Sequence, residues 1–285
     1  MIQKRRILLI GSTGYLGRTL MVHLQQISHV VPTYRTAACF AGSRRYDFRT
    51  DDVHSLVELG QIDTVVIAAN MAYEATDPAY EFSNFKQQAE RLIRGCPQCR
   101  VIYLSSDGIF DGKQGHYAES DIPTPVTLYG RNLHYLEAQV QNLCADYCII
   151  RPSYLYGYSL SQLDQRLASA RTRLLAGEQL SYFIDMLKSP MEVNQVAQAV
   201  TLLTCSTYVG IVHVAGQAIS VYDFYREAMS SLGIPSDRLY PTQMPTNAQL
   251  LRDTSLDITL MKKLTGIEPL SVSAALTQTR NREEP

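Results

Sequence analysis

The chain has no dominant charge: 26 Lys+Arg stand against 27 Asp+Glu, a formal net charge of -1 over 285 residues. No global basic field directs it to nucleic acid or to an anionic membrane. It also has no apolar run near the ~18 residues needed to span a bilayer. The basic stretch Met1 to Arg6 is followed only by Ile7 to Ile10, too short for a secretory core. The expectation is a cytoplasmic protein with no membrane or nucleic-acid partner. Repeats, low-complexity tracts and long linkers are missing too. The six histidines show no metal spacing, and six cysteines in such a chain read as reduced thiols rather than a disulfide framework. No metal site is expected. With 46% hydrophobic and 19% charged residues the chain is not largely disordered, and it is long enough to bury a sizeable core.

Short apolar runs alternate with longer amphipathic segments. Strands are expected at Arg6–Ile10, Val30–Tyr34, Asp63–Ala69, Arg100–Ser105 and Tyr147–Arg151, and helices at Tyr15–Ile27, Glu81–Arg94 and Leu128–Cys144, with a short one capped by Asp51-Asp52. Val65-Val66-Ile67 is the continuous apolar run of a parallel strand covered on both faces. This alternation predicts an α/β fold: a Rossmann-type doubly wound parallel sheet with a smaller C-terminal substrate-binding lobe. The dinucleotide-binding domain is expected over 1–156 plus about 190–215, and the lobe over about 157–189 and 216–285. Helices near 163–176, 193–203 and 221–232 and strands near 180–184 and 211–215 follow. Pro235, Pro241 and Pro245 then break regular structure, and short helices near 258–264 and 272–277 close the chain.

Gly11-Ser12-Thr13-Gly14-Tyr15-Leu16-Gly17 stands between the first strand and the first helix. Glycine there permits a tight turn and close backbone approach to a pyrophosphate, and the helix start supplies N–H groups and a partial positive charge. Gly11, Thr13, Gly14, Tyr15, Leu16 and Gly17 are therefore candidate cofactor residues. The second strand ends Thr33-Tyr34-Arg35, and no Asp or Glu occurs between Leu9 and Tyr46. An NAD site normally places a carboxylate there for the ribose 2′-OH. Arg35 suits a 2′-phosphate instead, which favours NADP(H) over NAD(H). The alternative is a solvated surface arginine.

The spacing of Gly11, Gly14 and Gly17 resembles that of extended short-chain dehydrogenase/reductases. Tyr103-Leu104-Ser105-Ser106-Asp107-Gly108-Ile109-Phe110-Asp111-Gly112 resembles the S-T-D-x-V-F-D-G segment of the dTDP-4-dehydrorhamnose reductases. Tyr117-x-Glu119, Pro123 to Pro125, Tyr129-Gly130, Arg151 to Gly157 and Arg252 to Asp257 follow in that family's order. The resemblance implies reduction of a keto-sugar nucleotide by a nicotinamide cofactor, with Ser106 on the substrate carbonyl and Tyr129 as proton donor. Asp107 borders the substrate and Tyr154 faces the sugar. Asp47-Phe48 resembles the pair that meets the adenine, and Ala68 and Ala69 the residues lining the cofactor ribose; Tyr129 is shared by both ligands. A homodimer is compatible with this reading.

One position departs from the family. Its Y-x-x-x-K becomes Tyr129 followed by Leu133, and i and i+4 share a helical face. The lysine implied by the resemblance binds the nicotinamide ribose and lowers the tyrosine pKa. Without a cation Tyr129 stays protonated at neutral pH, the useful form for ketone reduction. Asn132 or His134 is in range to replace part of the lysine's role. Two other functions stay open: a non-catalytic NADP-binding regulatory or scaffold subunit, such as the β subunit of methionine adenosyltransferase, and altered chemistry on a natural-product intermediate. Cys96, Cys99 and Cys144 are expected at the N-terminal edge of neighbouring strands, either as small buried hydrophobes or as a zinc or redox cluster.

Overall fold

The computed structural model describes residues 5–72, 82–246, 248 and 250–283. It divides into two compact units, Met1–Phe110 with Pro123–Arg151 and Ala197–Val212, and Asp111–Ile122 with Pro152–Val196 and His213–Pro285. The stretch Asp111–Ile122, which the sequence reading leaves in the first domain, belongs to the second unit.

The first unit is built on β1 (Arg6–Ile10), α1 (Tyr15–Leu24), β2 (His29–Tyr34), β3 (Arg44–Arg45), α2 (His54–Gly60), β4 (Thr64–Ile67), α3 (Phe82–Arg94), β5 (Arg100–Leu104), α4 (Leu128–Leu143) and β6 (Tyr147–Pro152). The central sheet has seven strands in the order β13-β6-β5-β4-β1-β2-β3, where β13 is Gly210–Val214. β1 pairs in parallel with both β2 and β4, and β4–β5 and β5–β6 continue the parallel pairing. The strand order reverses at β1, where open α/β sheets place their ligands. Ile7–Leu9, Val65–Ile67, Val101, Ile102 and Cys148–Ile150 are wholly inaccessible. Burial on both faces explains why these strands read as unbroken apolar runs.

The short β3 escaped the sequence reading because a two-residue strand carries no periodic signal. The expected helix start at Glu81 lies outside the described residues. The N-cap of α2 is Val53, which brings no side-chain cap; of the expected Asp51-Asp52 pair, Asp52 accepts from the His54 N–H at 2.9 Å while Asp51 takes the Asp47 N–H at 2.7 Å. Inside the unit, Arg151 and Glu137 are both 1% exposed and form a two-point ion pair at 2.7 and 3.0 Å. That pair fastens α4 to β6.

The second unit contains β7 (Leu155–Tyr156), β8 (Tyr158–Ser159), β9 (Gln162–Leu163), α5 (Gln165–Leu175), β10 (Leu180–Phe183), β11 (Leu187–Lys188), β12 (Met191–Glu192), β14 (Ile219–Ser220), α7 (Val221–Ser231), β15 (Leu239–Thr242), α8 (Thr259–Thr265) and α9 (Val272–Glu283). α6 (Val193–Cys205) runs from one unit into the other. Its core gathers Tyr156, Leu167, Leu174, Phe224, Tyr225, Met229 and Leu276. β15 corrects the expectation that Pro241 ends regular structure, because β15 pairs in parallel with β10 through Pro241. In a two-stranded sheet a proline can turn its missing donor outward.

Candidate active site

β1 delivers the chain into the glycine turn, and three contacts hold that turn to β2. The Gly11 N–H donates to Thr33 Oγ1 at 3.2 Å, the Ser12 hydroxyl to the Thr33 carbonyl at 2.8 Å, and Thr33 Oγ1 to the Leu9 carbonyl at 3.1 Å. The three glycines differ in why they are glycine. Gly11 has φ +92°, and a Cβ there would stand 2.6 Å from the Ala69 backbone nitrogen. At Gly17 a Cβ would stand 1.9 Å from the Gly11 carbonyl oxygen. The fold itself demands both. Gly14 is exposed and a Cβ on it would meet only the Gly11 oxygen, at 3.5 Å. It is also the N-cap of α1 and provides no side-chain cap, and the first turn holds no acid. The fold leaves Gly14 bare, and a phosphate is the group that such an opening over a helix start accepts.

Around this loop the expected cofactor residues fall on the C-terminal side of the strands. Thr13 and Tyr15 are half-buried, and Leu16 is buried in the core. Ala68 continues β4 with its N–H on the Ile10 carbonyl at 2.9 Å, and Ala69 abuts Gly11. Arg35 is exposed just beyond β2 and adds to the pull that keeps Asp47 ionised. Asp47 is buried, and its carboxylate takes Arg49 at two points, 2.9 and 3.1 Å, which holds its pKa below the usual carboxylate range. Phe48 is 8% exposed and packs on Phe85 with ring centroids 5.7 Å apart. The Phe48 side chain therefore belongs to the core.

Ser106 and Tyr129 come together on two glycines. A Cβ at Gly108 would stand 3.1 Å from the Tyr129 ring, and one at Gly130 would stand 2.3 Å from the Gly108 carbonyl oxygen. Gly130 has no room for a Cβ and Gly108 only a tight one against the Tyr129 ring, which lets the start of α4 press against the turn after β5. The Ser106 hydroxyl donates to Asp107 at 2.9 Å and accepts the Gly108 N–H at 3.2 Å. Burial raises the Tyr129 pKa; a hydrogen bond with Ser106 lowers it in part, and Asp107 raises it further. No cation figures among these influences. Leu133, in the place of the family's lysine, is 4% exposed and part of the buried face of α4.

Tyr154 lies in the second unit. Its hydroxyl meets that of Tyr225 at 2.9 Å, Arg166 covers its ring at 3.6 Å, and Tyr182 stacks on Tyr225 at 3.8 Å. Burial drives its pKa far up. The later motif closes on the earlier one within this unit: the Asp253 N–H donates to the Gly112 carbonyl at 2.9 Å, and the Tyr117 N–H to that of Ser255 at 2.9 Å. Lys188 escaped the sequence reading. It donates to Thr254 Oγ1 at 2.6 Å and lines a small recess with Tyr154, Pro190 and Phe224. It sits in a two-residue strand with no motif around it, so no signal marked it.

Cys96, Cys99 and Cys148 are buried thiols, Cys144 is half-buried, and Cys39 and Cys205 are exposed. Cys96, Cys99 and Cys144 influence one another's ionisation, and burial pushes Cys99 and Cys144 up to about 11. Among the described residues no group of three His, Cys, Asp or Glu is arranged to hold a metal ion. No helix of the described residues is long and apolar enough to cross a membrane.

The model of the RmlD substrate binding domain family matches residues 5–284. A dTDP-4-dehydrorhamnose reductase of Aggregatibacter actinomycetemcomitans is 26% identical over 96% of this chain and 98% of its own length. The mouse methionine adenosyltransferase 2 subunit beta is 25% identical over 87% of this chain and 81% of its own. In fold, the chain matches a Bacillus anthracis dTDP-4-dehydrorhamnose reductase crystallised with NADP, with a TM-score of 0.82, 19% identity and 99% coverage of both chains.

Proposed function

The chain belongs to the RmlD substrate binding domain family, and on that premise we propose that it is an NADP(H)-dependent reductase of a keto-sugar nucleotide or a related carbonyl compound. The observation that carries this reading is the meeting of Tyr129 with Ser106 over Gly108, in a unit whose glycine loop leaves Gly14 bare. The loop would take the pyrophosphate on the start of α1, with Arg35 near the 2′-phosphate, Asp47 near the adenine and Ala68 and Ala69 along the ribose. When bound, the nicotinamide supplies the hydride that goes to the carbonyl carbon. Ser106 would hold the carbonyl oxygen by a hydrogen bond, and Tyr129 would give that oxygen its proton as the alcohol forms. With no carbonyl present Asp107 takes the single Ser106 hydroxyl proton, so Ser106 would turn that proton from Asp107 to the carbonyl oxygen on binding. A tyrosine with a raised pKa is in the donating form throughout the neutral range, as reduction requires.

Buried Leu133 favours a second reading, an NADP-binding regulatory subunit that does not turn over. The two part on one assay: NADPH oxidation against a panel of 4-keto nucleotide sugars. The reductase reading expects turnover that Tyr129→Phe abolishes. NADPH binding without turnover on any member of the panel would favour the regulatory subunit.

A further inference from the structure

The buried face of α4 carries one polar side chain that nothing in the protein uses. Asn132 is 0% exposed, and neither its Oδ1 nor its Nδ2 has a hydrogen-bond partner among the described residues. Buried amides are paired in native proteins nearly without exception, so an amide orphaned at both ends marks a place where a partner is missing. On the same face Glu137 finds Arg151 and, further round the helix, Tyr135 finds Glu90 of α3 at 2.7 Å. Among the described residues of α4, His134 Nδ1 also lacks a partner, but Asn132 is the side chain left unpaired at both its donor and its acceptor.

Helix geometry says where it looks. At 100° per residue Asn132 lies between the directions of Tyr129 and Tyr135, on the flank opposite Glu137. Glu137 reaches β6, and the sheet order β6-β5-β4 puts the other flank toward β4 and α3. Helical side chains lean toward the N-terminus, which carries the amide back toward the turn bearing Tyr129. Asn132 therefore looks to the side on which β4 ends in Ala68 and Ala69. The next residue, Leu133, closes the direct i+4 position with hydrocarbon.

We infer that Asn132 is a cofactor-binding residue whose amide takes the nicotinamide-ribose half of the dinucleotide. An amide offers one donor group and one acceptor, which complements a vicinal diol or another carboxamide, and that half carries both. The contact would be neutral, so it would fix the ribose without lowering the Tyr129 pKa. The inference rests on the dinucleotide reading above and specifies which residue serves the reacting half.

The test is calorimetric titration of the intact protein with two probes, NADPH and adenosine 2′,5′-bisphosphate, the adenine half alone. Asn132→Leu, similar in size but apolar, is expected to weaken NADPH about tenfold, the loss of one or two good hydrogen bonds. It should leave the adenine-half probe within twofold. Ligand-free Asn132→Leu should melt no lower than wild type, since the change removes a buried unpaired amide. Asn132→Ala should reproduce the selective loss if the branched side chain disturbs packing. Unchanged NADPH affinity in both variants would overturn the inference, as would equal weakening of both probes in both variants. Wild-type protein that binds neither probe would instead overturn the dinucleotide reading itself.

Discussion

The glycine loop and the first turns of α4 use the same device, glycine at a close approach, but they differ in what the sequence keeps. In the loop every requirement is met by backbone: Gly11 and Gly17 have no room for a Cβ, and Gly14 stays open. On α4 the backbone requirement is met too, at Gly108 and Gly130, and Tyr129 is held in place. The departure is confined to side chains, with Leu133 where the family's lysine stands and an unpartnered Asn132 beside it. On the proposed reading, a phosphate site written in backbone geometry survives side-chain change, whereas proton transfer depends on single groups, and it is beside Tyr129 that the side chains depart.

The comparison breaks most sharply at Tyr129. Tyr129→Phe should cut turnover by about 10²–10⁴, the usual contribution of a general acid, and leave NADPH affinity within twofold. Steady-state NADPH oxidation alongside calorimetry checks both halves. Within the loop, Gly17→Val and Gly14→Val should behave differently. A Cβ 1.9 Å from the Gly11 oxygen leaves Gly17→Val unable to keep the turn, and its melting transition should drop or vanish. Gly14→Val should melt like wild type yet lose NADPH binding by more than about tenfold. Equal melting and binding losses in the two variants would contradict the division between structural and ligand-facing glycines.

Arg35→Ala should weaken NADPH by roughly tenfold, about 1–2 kcal/mol for an exposed arginine–phosphate contact, and leave NADH unchanged. Equal effects on both cofactors would remove Arg35 from the 2′-phosphate. The smallest expected effect is on stability at alkaline pH. Burial raises Cys99 and Cys144 to about 11 and Cys148 to about 12, from 9.0 for an ordinary thiol. Groups bound more tightly to their protons in the folded state add stability that is whole below 9 and is lost as pH climbs through the folded values. The melting temperature should hold flat from pH 7 to about 9 and fall above it. Native labelling with a thiol reagent should reach the exposed Cys39 and Cys205 well before buried Cys96, Cys99 and Cys148.

Much of the first unit was legible because its signals are local. Runs such as Val65-Val66-Ile67, the spacing of Gly11, Gly14 and Gly17, and the amphipathic stretch of α4 each declare themselves over a few residues. The second unit was less so. β7, β8, β9, β11 and β12 are two residues long, and Pro241 reads as a breaker although it lies within β15. Lys188, set beside Thr254 by a distant pairing, has no local mark. The orphaned amide of Asn132 depends on what fails to surround it, which no single sequence can state. Phe48 shows what a motif does not carry: its packing on Phe85 puts its ring in the core, which no local signal announced.

The central claim is that Tyr129 acts as a neutral acid with no cation beside it, and the most direct test is the pH dependence of kcat/KM for carbonyl reduction in wild type and in Leu133→Lys. Wild type should show no tyrosine-dependent fall between pH 6 and about 9, since burial and Asp107 hold the Tyr129 pKa above its ordinary value. Leu133→Lys, folded and binding NADPH, should raise the neutral-pH rate and bring an alkaline fall into that window as the new cation pulls the tyrosine down. A wild-type profile that already falls below pH 9 and vanishes with Tyr129→Phe would contradict the claim, because it would require a cation that the buried face of α4 does not hold.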